Sequence, residues 1–379
     1  MPHSRGVVAY AKKASRRMRH TLCTPEVTYL YRIPVTQWIQ KYRREYIVPD
    51  TAAGITMAIY NVPQGMAYSV LASLSPVYGL YASFFPPLLY FLFGTSRHIS
   101  IGVFSITCLM VGQTRQSILP DYANGTHATE YKGMTGLSPP DVVIVLAFVT
   151  GMVQIIMWAL HLSFLSAYLS DSVVSGLTFA AALHALIAQV PGILGVKLDH
   201  PDTDNFLHII TKIKDIFVAV PRTNLVTLLL SVCTIVFLLI FKKLVEPTFR
   251  RWRIPLPSEL IAVRFAVLRL PAPKLPRFEL VPDLINHGAS IAIVAYVVTL
   301  SMGKLFARKH KYQINNDQEM LALGIVGVVS SFFSVFPTST SLSRSLVNEA
   351  SGARTQVLLH ILLNSFIYHK LIVCPLCSL

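Results

Sequence analysis

The fold is decided by residues 51–96, which read TAAGITMAIYNVPQGMAYSVLASLSPVYGLYASFFPPLLYFLFGTS. No Asp, Glu, Lys or Arg interrupts this stretch. A helix needs about 20 mostly apolar residues to cross the hydrocarbon core of a bilayer. The stretch therefore holds two spans joined by a turn at residues 73–76, and it predicts an all-α integral membrane protein.

The composition of the whole chain agrees with this prediction. Of 379 residues, 53% are hydrophobic and 13% are charged, whereas soluble domains carry about 25% charged residues. The net charge of +15 is typical of nucleic-acid binders, but here Lys and Arg lie in short clusters between apolar runs, as in membrane proteins. We therefore predict the lipid bilayer as a partner and no nucleic acid.

Sequence motifs of soluble catalysts are missing. The chain has no G-x-S-x-G, Walker loop, H-E-x-x-H or Gly-rich dinucleotide turn. Its five cysteines lie far apart, and its histidines show no metal-ligand spacing. We predict that the protein is not an enzyme and has no catalytic residues, no metal and no cofactor.

Charge placement orients the chain in the membrane. Residues 1–48 are basic, and the positive-inside rule makes them a cytoplasmic tail. Counting spans outward from this tail places Asn124–Gly125–Thr126 outside, which predicts Asn124 as a glycosylation acceptor. Further uncharged runs cover residues 98–114, 142–170, 172–196, 223–241, 284–303, 320–343 and 355–369.

Two stretches depart from the pattern of simple spans. Apolar residues at helical spacing over 205–220 predict an amphipathic helix lying in the interface. Residues 260–270 are too short and too charged to cross, since they contain Arg264 and Arg269. Either this segment crosses imperfectly or the chain has lost residues here, and we favour the loss.

Two apolar runs are interrupted in corresponding ways. Residues 97–105 suit an extended strand that turns into a helix within the membrane, and residues 336–344 suit a second broken crossing. Paired half-helices mark the site of many transporters, and their amino ends favour anions such as sulfate. Arg344 would add charge, and Ser341 and Ser343 would add hydroxyl donors. The alternative is that Arg344 is the first cytoplasmic charge after a span.

Several motifs resemble those of the sulfate permease (SulP) family of anion transporters. In order along the chain they are Val62–Tyr68, Pro76–Tyr81, Phe84–Pro87, Gly94–Ser100 and Ser341–Val347. The resemblance runs from about Tyr46 to Gln356. It implies a seven-plus-seven inverted-repeat transporter fold, with a core and a gate domain and elevator-like alternating access.

The resemblance also implies where the anion binds. In this family it lies between the third and tenth helices and touches the first. The matching positions are Gln64 on the first helix, Phe104 on the third, and Ser341, Ser343 and Arg344 on the tenth. Many relatives have a proline at the position of Val103. In having valine there, the chain resembles the sulfate-transporting animal members rather than the chloride-conducting ones. Val298 replaces an acidic residue of proton-coupled relatives, which favours anion exchange over proton symport.

The chain departs from the family pattern near its end. The seventh helix is curtailed, residues 357–379 no longer resemble the eleventh helix, and helices twelve to fourteen and the STAS domain are missing, so the second repeat is incomplete. The expected divisions are a tail at 1–48, core helices 1–4 at 49–162, gate helices 5–7 at 163–270 and core helices 8–11 at 271–379.

These observations leave three functions open. The first is an exchanger of sulfate or a similar oxyanion for bicarbonate, chloride or oxalate, placed in the plasma membrane. The second is a truncated, non-transporting partner of a full-length relative, and the third is an uncoupled chloride channel. A homodimer, or a heteromer with a full-length relative, is the expected assembly.

Overall fold

The computed structural model describes residues 34–40, 42–119, 137–164, 171–196, 208–240, 243, 271 and 273–355. The predictions for Asn124, for residues 260–270 and for residues 357–379 lie outside the described residues, as does the tail up to residue 33. A short helix at Val35–Ile39 precedes the first long one.

The described chain consists of ten longer helices and two short strands. In order, they are α1 (Ile47–Leu71), α2 (Pro76–Phe93), β1 (Ile101–Gly102), α3 (Ser105–Ile118), α4 (Pro139–Ala159), α5 (Asp171–Leu194), α6 (His208–Ala219), α7 (Leu225–Ile240), α8 (Val281–Lys309), α9 (Asn316–Ser331), β2 (Ser339–Thr340) and α10 (Leu342–Ala350).

Helices α1 and α2 form the hairpin that residues 51–96 predicted. The turn between them places Ser73 at a φ of 58°, and the Ser69 hydroxyl donates to the carbonyl of Ser75 at 2.6 Å. A Cβ added at Gly65 would lie 2.8 Å from the carbonyl oxygen of Gly79. The two backbones therefore touch at glycine, as is common where helices pack in membranes.

Helix α9 packs closely on α4 through a second glycine contact. A Cβ added at Gly151 would lie 2.5 Å from the backbone nitrogen of Val328, and one at Gly327 would lie 2.9 Å from the Gly151 Cα. Helix α8 also packs on α4, and α9 also packs on α2. These helices form the rigid frame that carries the broken crossings.

Helix length separates full spans from half-helices. Among the described residues, Pro76–Phe93, Pro139–Ala159 and Phe278–Lys309 are long and apolar enough to cross a bilayer. Helices α3 and α10 have only 14 and 9 residues, fewer than the roughly 20 that a span needs. Both begin immediately after a short strand, so the predicted half-helices preceded by extended segments are confirmed.

The predicted amphipathic helix is present as α6. It is followed by a turn, and the stretch Ile213–Arg222 makes an angle of 113° with Leu225–Phe237 of α7. A helix bent so sharply relative to the next apolar one fits a segment at the interface. That it lies in the membrane plane stays a prediction.

Candidate functional site

The two broken crossings meet through their strands. β1 pairs antiparallel with β2, so that Ile101 is opposite Thr340 and Gly102 is opposite Ser339. All four residues are buried. Helix α3 starts three residues after β1, and α10 starts two residues after β2. The pairing therefore holds the amino ends of two half-helices next to each other.

Neither amino end is capped by a side chain. Phe104 is the N-cap residue of α3 and Ser341 is that of α10, and neither position makes a side-chain cap hydrogen bond. The N–H groups of a helix's first turn have no partner within the helix, and together they carry about half a positive charge. Two adjacent uncapped ends therefore form a region of positive potential suited to an anion.

Arg344 adds a full positive charge to this region. Its side chain is only 1% exposed. One nitrogen, Nη2, donates to the carbonyl of Ser100 at 3.2 Å, while Nε is buried without a hydrogen-bond partner. The alternative in which Arg344 is a solvent-facing charge at the end of a span is therefore wrong.

Gly102 lets the guanidinium group lie flat against β1. A Cβ added there would come within 3.3 Å of both terminal nitrogens of Arg344, and the residue has a φ of 150°. Both the space and the backbone angle favour glycine. Gly102, which interrupts the apolar run in the sequence, thus leaves room for the Arg344 guanidinium group.

Gln64 lies on helix α1, which packs against α10. The hydroxyl groups of Tyr60 and Tyr68 are close enough to interact electrostatically with Arg344, and Gln64 lies midway between them at the i+4 spacing of one helix face. The Gln64 side-chain oxygen is buried and has no hydrogen-bond partner. This oxygen can only accept a hydrogen bond, so the amide nitrogen is the group of Gln64 that could donate to an anion.

The remaining predicted residues lie at the two helix starts. Phe104 is half-buried at the start of α3. The Ser341 and Ser343 hydroxyls are 3.1 Å apart. Because a hydroxyl pair uses only one of its two protons, the other remains available to a ligand. The structure thus places Phe104, Ser341, Ser343 and Arg344 beside the strand pair and Gln64 on α1, which contacts α3 and α10. Their contact with an anion stays a prediction.

Helix α8 holds β2 in place. Ser339 donates to the carbonyl of Ala295 at 3.1 Å, and the Thr340 hydroxyl donates to that of Thr299 at 3.1 Å. The neighbouring Val298 is fully buried. Thr299 could not be predicted from the sequence, because one hydroxyl in an apolar helix has no visible role until the strand beside it is known.

Comparison with known proteins decides the family. The sequence pattern of the Sulfate permease family matches residues 47–375. The chain belongs to the sulfate permease family. It is therefore a membrane protein of an anion-transporter family and not an enzyme.

Two curated relatives of this sulfate permease chain show the extent of the match. "Prestin" of Danio rerio is 36% identical over 355 residues, which cover 86% of this chain and 47% of the relative. "Sulfate transporter" of Homo sapiens is 34% identical over 365 residues, which cover 86% of this chain and 49% of the relative. The chain thus spans about half the length of the curated relatives it matches.

A solved structure confirms the fold of the sulfate permease chain. The murine Solute Carrier 26 family member A9 anion transporter, in its inward-facing state, has a TM-score of 0.78 at 27% identity, over 93% of this chain and 60% of that one. This confirms an all-α membrane protein of the transporter type.

A polar cluster lies beside the segment that leads into β1. The ring of His98 stacks on that of His310, with centroids 4.1 Å apart and planes 14° apart. His310 also contacts Glu349 at 2.6 Å, and the Tyr312 hydroxyl lies 3.4 Å from His98 Nδ1. These contacts join the segment that leads into β1 to the end of α8 and to α10.

Proposed function

We propose that the chain is a secondary transporter that exchanges sulfate or a similar oxyanion for a second anion, namely bicarbonate, chloride or oxalate. One observation carries the proposal: the β1–β2 pair brings two uncapped helix amino ends and a buried arginine together. A relative named "Sulfate transporter" supports sulfate as the first ion to test.

The chemistry of the site supports an oxyanion. Sulfate has four acceptor oxygens, and the site offers N–H groups, hydroxyls, an amide and one guanidinium group. One cation and two helix dipoles together approach the two charges of sulfate. Binding without a full set of cations leaves the anion free to depart on the other side, which transport requires.

Exchange fits the site better than proton symport. Position 298 is a buried valine at the level of β2, so it provides no proton acceptor there. Val103, fully buried between β1 and α3, agrees with the sulfate-transporting members that the sequence resembles. A transporter without a coupled proton returns by carrying a second anion.

The proposed motion is a displacement of the core (residues 49–162 and 271–379) against the gate (residues 163–270). Helices α1, α2, α4, α8 and α9 form a connected set of contacts. Helix α5 contacts α6 and α7, and it also touches α3 and α8, where the proposed gate would meet the proposed core. The two paired half-helices are attached to the first set through α8 and α1. An elevator-like movement of that set would carry the anion with it.

Two contacts between the halves of the chain support an inverted repeat. The sequences Gly79–Phe85 and Gly327–Phe333 resemble each other, and their last members, Phe85 and Phe333, stack at 4.4 Å with planes 15° apart. Equivalent residues touch one another only near a symmetry axis. An axis between β1 and β2 would likewise make the two strands antiparallel, as they are.

We further propose a plasma-membrane location with a cytoplasmic N-terminus and Asn124 outside. This rests on the positive-inside rule and the N-x-T motif. Assembly as a homodimer, or with a full-length relative, belongs to the same proposal.

Liposomes containing the purified chain test the proposal. Labelled sulfate uptake should rise several-fold when the lumen holds bicarbonate, chloride or oxalate instead of an impermeant buffer. Uptake that needs no internal anion but follows the membrane potential would favour the channel. No uptake, together with co-purification of a full-length relative, would favour the regulatory partner.

A further inference from the structure

Glu319 is a carboxylate buried in the frame, outside the anion site. It lies in the first turn of α9, whose start is capped by the Asn315 side chain. Its side chain is 1% exposed. Burying a carboxylate is costly unless hydrogen bonds compensate for its lost hydration. Its partners therefore show what this residue does.

All of its hydrogen-bond donors belong to α2 or to the residues just after it. Oε1 accepts from the backbone nitrogens of Thr95 and Ser96, at 2.8 and 3.0 Å, and from the Thr95 hydroxyl. Oε2 accepts from the Tyr90 hydroxyl at 2.7 Å. Hydrogen bonds to an ionised group are about twice as strong as neutral ones, so Glu319 fixes the start of the 95–100 segment to α9.

The far end of the 95–100 segment is fixed to α10. Asn348 donates to the carbonyl of His98 at 3.2 Å. The backbone nitrogen of Ser100 donates to the Ser345 hydroxyl at 3.0 Å, and Arg344 donates to the carbonyl of Ser100. The last of these bonds is part of the anion site itself.

The 95–100 segment bends at Arg97 and His98 and is held by hydrogen bonds at both ends. Each extended residue advances the chain by about 3.3 Å, so a shift of one residue at Ser96 would move Ser100 past its partners on α10. It would also displace β1 relative to β2, because Ile101 follows directly. The bond pattern at Thr95 and Ser96 thus sets the position of the Arg344 acceptor.

We propose that Glu319 is a positioning residue for the anion site, acting through the 95–100 segment. Its carboxylate holds the segment in the one register that aligns β1 with β2 and gives Arg344 its backbone acceptor. The proposal rests on the proposed function in that the aligned site is the one that binds the transported anion.

Glu319→Gln tests this with little change of shape. The amide keeps the size of the side chain but replaces the charged acceptor by a neutral one. We expect the KM for sulfate to rise about tenfold, while the maximal rate per reconstituted molecule changes less than about twofold. Thr95→Val, which removes one donor of the same cluster, should shift KM in the same direction by a smaller factor.

Tyr90→Phe is the matched control. It removes a bond to the same buried carboxylate but leaves the Thr95 and Ser96 bonds in place, so the KM should stay within about twofold of the original value. If Glu319→Gln leaves the KM unchanged, whether or not it lowers the amount of folded protein, Glu319 does not position the anion site and the proposal is overturned.

Amide hydrogen exchange separates this proposal from the proposed function, because it needs no transport. In Glu319→Gln, exchange should accelerate across Ser100, the β1 residues and the start of α10. Acceleration confined to Thr95 and Ser96 overturns the positioning role. If the original chain neither binds nor carries sulfate, the proposed function fails, while the exchange pattern still decides the link between Glu319 and the strand pair.

Discussion

Arg344→Ala is expected to abolish sulfate uptake while the chain still inserts into the membrane. Opposite unit charges roughly 4 Å apart interact by about 4 kcal/mol at an effective dielectric constant of about 20. A loss of this size corresponds to roughly a thousandfold in affinity. Labelled sulfate uptake, normalised to the amount of protein in the membrane, measures the effect.

The chain should still fold after this change, because the buried, unpaired charge of Arg344 destabilises the folded state. Arg344 has one protein acceptor, the Ser100 carbonyl, and its Nε is unpaired. Among the described residues, the ion pairs join Glu349 to Lys309 and His310, and none of them includes Arg344. Removing a buried cation without a counter-charge relieves a desolvation penalty. Thermal stability without sulfate should therefore not fall, whereas the stabilisation by added sulfate should vanish.

Two further variants define the role of the charge. Arg344→Lys keeps the charge without the planar fork and should retain part of the binding. Arg97→Ala removes an exposed cation of the neighbouring segment and should change uptake less than about twofold. Equal uptake per molecule by Arg344→Ala and the original chain would place the anion elsewhere.

Gly151→Leu is expected to prevent folding altogether. Even a Cβ at this position would lie 2.5 Å from the Val328 nitrogen and 2.8 Å from the Gly324 carbonyl oxygen. These atoms belong to the backbone of α9 and have no room to move. Forcing α4 and α9 apart should cost more than about 3 kcal/mol, above the usual range for overpacking because backbone must shift. Surface labelling and detergent gel filtration measure the loss of folded protein.

The matched control is the same substitution at Gly176 in α5. A Cβ there would meet nothing within 4 Å, and the residue is exposed, so Gly176→Leu should leave the amount of folded protein unchanged. A Gly151→Leu variant that folds as well as Gly176→Leu would show that the close contact of α4 with α9 is not required.

Helices, turns and helix breaks were predicted from short stretches of sequence. The uncharged run at 51–96 gave two helices and their turn, because length and polarity alone determine whether a segment suits the bilayer. The interruptions at 97–105 and 336–344 were likewise visible, since glycine, proline and hydroxyl residues disfavour a continuous helix wherever they occur. The resemblance to sulfate permeases added Gln64 and Phe104, which no local pattern singles out.

Other features depended on contacts between distant parts of the chain. In the sequence, Glu319 looks like an ordinary acidic residue in the first turn of a helix. Its favourable interaction with the helix dipole would be enough to explain it. Its partners at Thr95 and Ser96 lie 224 and 223 positions away. No spacing rule reaches across such a distance, so its role was not predicted.

By itself, the sequence determined that this protein lies in a membrane, where its helices run, and where two of them break. Only the tertiary structure decided that the two breaks pair, and that Arg344 points inward to a carbonyl 244 positions away rather than outward to water. The physical reason is that the suitability of a segment for the bilayer, and the place where its helix breaks, follow from that segment's own residues. The alignment of two strands instead depends on the helices that hold them, chiefly α4, α8 and α9.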